Sequence, residues 1–140
     1  MMHINYKIQM LPIRKERYRL ISDTEGWLSI EIDDVNIFFC DGVLLIEFAR
    51  VLANWINNLG ERQEDFVYNS MDFEDSPLII IRKNSEYFLE SAITGIEKKY
   101  EISLNEFIDS AKVFLIKIKN ELIQSGIDFS KYDSFEPINF

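Results

Sequence analysis

The residues able to do chemistry are few, and their types and spacing favour recognition over catalysis. The chain has one histidine, His3, and one cysteine, Cys40. A Cys/His or Ser/His/Asp centre needs an imidazole held beside its nucleophile. His3 instead falls on the polar face of a terminal alternating run, where nothing near it in sequence would position it as a base. Cys40 follows Phe38-Phe39 ahead of a helical stretch. A helix N-terminus there would lower its thiol pKa, but the apolar setting reads as a small core residue. A structural zinc site takes four Cys or His ligands, more than the chain owns.

Carboxylates are the abundant polar groups. They cluster as Asp33 and Asp34, as Glu61, Glu64 and Asp65, and as Asp72, Glu74 and Asp75. Loop carboxylates of this kind can ligate Ca²⁺ or Mg²⁺, but the D-x-[DN]-x-[DN]-G run with its distal Glu is absent. With only five glycines there is no phosphate-binding loop either, so no metal and no cofactor is expected. A glycosidase needs two acids about 5–10 Å apart, which any two strands can supply; nothing in the sequence singles out such a pair. An enzyme is therefore not expected.

The charge is unevenly laid out. Residues 1–20 carry a net +4, residues 21–75 a net −11 and residues 76–140 a net −2. The total of −9 opposes binding to nucleic acid or to an anionic membrane, where the polyanion rewards the opposite sign. The basic stretch Arg14-Lys15-Glu16-Arg17-Tyr18-Arg19 is then better read as an internal salt-bridge partner. Clustered carboxylates suit a basic protein, which they steer by long-range attraction. Aromatic side chains beside them would be the anchors, and by position these are Tyr68, Phe73 and Trp27. Solubility alone also accounts for acidity in many proteins.

The elements that must position these groups follow from periodicity. Residues 2–11 alternate, with Ile4, Tyr6, Ile8 and Met10 on one face, and Pro12 ends that strand. Residues 17–22 read as a second strand. Trp27–Ile32 and Val35–Phe39 alternate around Asp33-Asp34, which is hairpin spacing, with a longer loop as the alternative. Leu44, Leu45, Phe48, Val51, Leu52, Trp55, Ile56 and Leu59 then keep helical spacing, so residues 42–59 are expected as a helix capped by Asp41 and stopped by Gly60. Strands are expected over Phe66–Met71, Leu78–Ile81 and Tyr87–Ile93, the middle one apolar enough to be covered on both faces. Ser103 and Glu106 form a capping box for a second helix, with Leu104, Phe107, Ile108, Ala111, Leu115, Ile118 and Leu122 buried and Gly126 as its stop.

The order β-β-β-β-α-β-β-β-α predicts an α+β fold: one mostly antiparallel sheet of six to seven strands with two amphipathic helices on a face. At 140 residues, 47% hydrophobic and 14% aromatic, residues 1–140 make one domain with a sizeable core, its tail 127–140 fastened by Phe129, Tyr132, Phe135 and Phe140. No run of about 18 apolar residues predicts a membrane span, the N-terminus lacks a signal core, and a lone cysteine forms no internal disulfide. These features point to the cytoplasm.

The segment Asp23-Thr24-Glu25-Gly26-Trp27-Leu28-Ser29-Ile30, the helix through Trp55, and Tyr68-Asn69-Ser70-Met71-Asp72 ahead of Pro77 resemble a family of small uncharacterised bacterial proteins, to which no function is assigned. In size, acidity and α+β pattern the chain is also similar to immunity proteins of bacterial polymorphic toxin systems, which bind and occlude a toxin, often a basic nuclease. That similarity implies a non-enzymatic protein that masks a basic partner through Asp33, Asp34, Asp72, Glu74 and Asp75, with Glu61, Glu64 and Asp65 behind them. A homo-oligomeric structural or regulatory protein is the alternative, and a carboxylate-dependent enzyme the third reading.

Overall fold

A computed structural model describes residues 1–11, 21–59, 65–69, 79–84, 86–91 and 99–127. The first three strands are β1 (Met2–Met10), β2 (Glu25–Ile32) and β3 (Val35–Leu44), an antiparallel meander in the order β1-β2-β3. Helix α1 (Leu45–Asn57) follows. A second antiparallel meander then runs β4 (Phe66–Tyr68), β5 (Ile79–Asn84), β6 (Glu86–Glu90) and β7 (Lys99–Ile102), and helix α2 (Leu104–Gln124) closes the series. The class is α+β with antiparallel pairing and two helices, as the sequence predicts.

The strands divide between two sheets of three and four strands, not one. α1 separates the two meanders in sequence, and side-chain packing joins them. The strand expected over residues 17–22 is not borne out at its end: Ile21–Asp23 is helical, and residues 17–20 lie outside the described residues. β7 was missed, because Lys99-Tyr100-Glu101-Ile102 holds only two apolar positions and abuts the capping box.

The Asp33-Asp34 turn is a tight two-residue hairpin, both residues having positive φ (49° and 66°). Asp tolerates the left-handed region better than most residues, so the pair makes the turn that Asn-Gly makes more commonly. At the other end of β3 the helix begins later than expected. The strand runs on past a left-handed Gly42 (φ 69°), Val43 pairing with Gly26 and Leu44 with Glu25 beyond a register shift. Asp41 does not cap α1; it accepts the Gly42 N–H at 3.0 Å. Leu44 is the N-cap and offers no side-chain cap, and the Leu45 N–H donates to the Thr24 carbonyl at 3.1 Å. Leu44 fits helical spacing only because it is buried as part of a strand. Gly60 lies outside the described residues.

α2 keeps its predicted ends. The Ser103 hydroxyl accepts the Glu106 N–H at 3.4 Å. At the other end Gly126 has φ 91°, Gly126 N–H donates to Ile123 and Ile127 N–H to Leu122, the paired bonds of a Schellman stop. Its buried face is Phe107, Ser110, Ala111, Phe114, Leu115, Ile118 and Leu122; Phe114 and Ser110 join the expected stripe, while Leu104 and Ile108 are only half-buried. Ile127 is buried, and residues 128–140 lie outside the described residues. In β5, Ile79 and Ile81 are buried and Ile80 is half-buried, so its two faces are not covered equally.

One hydrophobic cluster draws on both sheets and both helices. Aromatic rings run through its middle. Phe48 of α1 meets Tyr68 at 5.1 Å, Phe114 at 5.4 Å and Phe66 at 6.3 Å between centroids, all edge to face. Phe114 in turn meets Tyr6 of β1 at 5.3 Å. Trp55, Phe66 and Phe107 close a triangle at the far end. Edge-to-face geometry adds attraction to the area each ring buries. Phe48→Ala is expected to cost about 3–5 kcal/mol, read as a shift of the urea midpoint. Gly26→Ala is expected to cost at least about 2 kcal/mol, because a Cβ at this position would stand 1.8 Å from the Lys7 carbonyl oxygen; a wild-type midpoint would refute the close β1–β2 approach.

Candidate functional site

Among the described residues β1 pairs with β2 on one side only and is an edge of its sheet. α2 runs beside it in the same direction. At the start, Met1 lies within electrostatic reach of Glu106; further along, Tyr6 packs on Phe114 and donates to Glu121 at 3.5 Å. Between strand and helix lies a groove of about 480 Å³, whose strand wall is Met1–Asn5 and whose helix wall includes Glu106, Asp109, Val113 and Lys117. A second hollow of about 330 Å³ continues from it, sharing Ile4, Asn5 and Lys117 and adding Tyr6, Trp27, Glu31 and Glu121. The two have the size of ordinary ligand sites.

The helix wall exists because residues three and four apart share a helix face. Glu106, Asp109, Ser110, Val113 and Lys117 follow that spacing beside the buried Phe107, Phe114 and Ile118. Core packing of one stripe thus fixes the aim of its neighbour.

The electrostatics concentrate at the groove's first end. The Met1 amino group is bound by Asp33. Its pKa is raised, first by that hydrogen bond; desolvation opposes it, and the charges of Asp33, Glu106 and Asp34 add smaller increases. Asp33 is the carboxylate in contact with the amino group, Asp34 follows it in the hairpin turn, and Glu106 and Asp109 line the helix wall nearby. Of the acids singled out in the sequence, the structure brings Asp33 and Asp34 here. Asp65 is exposed just before β4. Glu61, Glu64, Asp72, Phe73, Glu74 and Asp75 lie outside the described residues. Tyr68 is no surface anchor: it is 0% exposed, its hydroxyl donating to Glu47 at 2.8 Å, because alternation along β4 turns it inward with Phe66 while Val67 faces out. Trp27 is half-buried, tilted against the exposed Phe39 at 5.9 Å. Glu106, Asp109 and Glu121 were missed as site residues, since helical charges read as a solvated face; the apolar Val113 on that face was the available signal.

His3 is exposed on the groove wall. Cys40 is a buried β3 residue whose thiol donates to the Asp41 carbonyl. Desolvation, with Asp41 adding to it, pushes that thiol up to about 11. Desolvation and the Glu121 charge push Tyr6 up to about 12. Neither is primed as a nucleophile or base near neutrality. Among the described residues no group of three or more His, Cys, Asp or Glu is placed to hold a metal ion, and no helix is long and apolar enough to cross a membrane.

Residues 2–124 match the family model of a domain of unknown function, DUF7878, and the chain belongs to that family. The match opens at the first residue of β1 and closes at the last of α2, so it takes in both walls of the groove. No curated protein and no solved structure matches the chain.

Raised pKa values mean that folding favours the protonated forms, so the stability they carry is present at neutral pH and lost in alkali. The urea midpoint is expected to decline once pH exceeds the ordinary values of 9.0 and 10.0, as it rises toward about 11 for Cys40 and about 12 for Tyr6. Tyr6→Phe, which cannot ionise, should make the decline shallower; an identical decline would remove Tyr6 as its source. Native Cys40 should also resist iodoacetamide at pH 8 and react promptly in denaturant.

Proposed function

We propose that this DUF7878 domain is a non-enzymatic acidic binding protein that masks a basic protein partner, in the manner of a toxin-neutralising immunity protein, with a nuclease-type toxin as the partner class. The observation that supports it is the acidic end of the groove, where Asp33 binds the Met1 amino group and Glu106 and Asp109 line the helix wall. An Arg or Lys of a partner placed there would meet the same carboxylates and gain charge-assisted hydrogen bonds. The protein's net charge of −9 would speed the approach of such a partner over several ångströms. Occlusion is the mechanism: the partner's own cationic surface is covered and cannot meet its substrate. The reducing cytoplasm is the compartment that suits a chain with one buried thiol.

The rival reading is self-association, which has its own observation: Val113, Ile116 and Ile123 are exposed along one face of α2. A dilution series followed by light scattering separates the two. A monomer is expected; a dimer that persists on dilution would favour the rival.

Capture from lysate at low and high salt, run in parallel with a neutralised variant, tests the main reading. Asp33→Asn, Asp34→Asn and Glu106→Gln remove three charges, and Asn keeps the left-handed turn accessible. The expected result is one basic protein retained by the wild type, shed as salt rises, and bound about tenfold more weakly by the variant. Equal retention by wild type and variant would sink the acidic end of the groove as the binding surface.

A further inference from the structure

We infer that the groove between β1 and α2 takes an extended basic segment of the partner as an added strand on β1. The inference rests on the binding reading above and specifies its geometry. The Asp33 N–H donates to the Met1 carbonyl at 3.1 Å, and β1 pairs with β2 in continuous register from Met2 to Ile8. In an antiparallel pair, alternate residues turn both backbone groups toward the same neighbour. Odd-numbered residues of β1 therefore serve β2. Met2, Ile4, Tyr6 and Ile8 turn their N–H and C=O groups to the other side, where no described strand pairs with them. An open edge of this kind is a template for a further strand.

The helix below supplies the floor. Val113 is 62% exposed and lines the groove beside Met1–Asn5, on the ledge that one more strand would cover. Glu106 lies seven residues back along α2, about 10 Å at the helical rise. Side chains on one face of a strand recur every ~6.8 Å, so an apolar residue over Val113 puts a residue two or four positions away beside Glu106 and Asp109. That residue must be basic, because Glu106 and Asp109 line this end and Asp33 is bound to Met1 beside them. The occupant is thus an extended segment with an apolar residue and a Lys or Arg on one face. A second copy of this chain fits poorly: antiparallel pairing of two β1 edges sets the acidic end of each against the Met10 end of the other, where Glu25 and Asp41 stand, on subunits of net charge −9 each.

The probe is an eight-residue peptide whose alternate residues are valine, valine, lysine and lysine, with threonine between them. Titrated into the labelled protein, it should slow amide exchange at Met2, Ile4, Tyr6 and Ile8 and leave the odd-numbered amides, already bonded to β2, unchanged. The same peptide N-methylated on the bonding edge should bind about tenfold more weakly, through lost backbone hydrogen bonds. Val113→Asp, at an exposed position that leaves the core intact, should also weaken it. Equal binding of the methylated peptide would overturn strand addition while leaving the acidic site standing. Even-numbered amides already protected in the free, dilute protein would overturn it by showing the edge covered, and so would absence of binding at millimolar peptide. Loss of lysate capture by the neutralised variant, with these peptide results negative, would keep the binding reading and discard this geometry.

Discussion

The packing of Phe48 is the constraint on which the rest of the molecule depends. Its ring takes an edge or face from three directions: Phe66 and Tyr68 of the second sheet, and Phe114 of α2. The helix that carries it is held to the first sheet through the Leu45–Thr24 bond. Among the described residues the two sheets share no ladder, so side-chain packing joins them. Protein interiors are close-packed and transmit displacement, and a shift of Phe48 would move both sheets and α2 together.

That packing also sets the groove. Phe114 lies between Phe48 and Tyr6, so one residue of α2 is fixed against the central ring and against β1. Helical geometry then places Val113, one residue earlier, on the groove beside Met1–Asn5, and Glu106 and Asp109 two turns and one turn before it. The same core contact that stabilises the fold therefore aims the acidic wall. The hairpin end of the groove is fixed separately, by the two left-handed aspartates and the β1–β2 register that carry Asp33 to Met1.

Much of this was legible residue by residue. The alternation of Ile4, Tyr6 and Ile8, the capping box of Ser103 and Glu106, and the Gly126 stop each rest on local backbone chemistry, and each holds; Met10, expected on the same face, is 52% exposed because the β1–β2 register shifts after Ile8. Local reading failed where two structures share one pattern. Gly42-Val43-Leu44 satisfies a helical stripe and a buried strand equally, and pairing with Glu25 and Gly26 decides between them. Tyr68 beside acidic loops resembled an anchor, but the facing of β4 puts its ring against Phe48. Lys99-Tyr100-Glu101-Ile102 is too short and too charged to read as a strand until β6 pairs with it.

The sequence by itself determined the class of each long element, the antiparallel character that short turns impose, and an excess of carboxylates that suits a basic partner. Those properties depend on neighbours within a few residues, or on sums over the chain. Only the tertiary structure decided that the described strands form two sheets, that β1 pairs on one side only among the described residues, and that Asp33 binds Met1 at the end of the groove that Glu106 lines. Hairpin and helix acids more than 70 positions apart reach the same end of the groove because α2 packs along β1, and no pattern confined to a window of sequence encodes that distance.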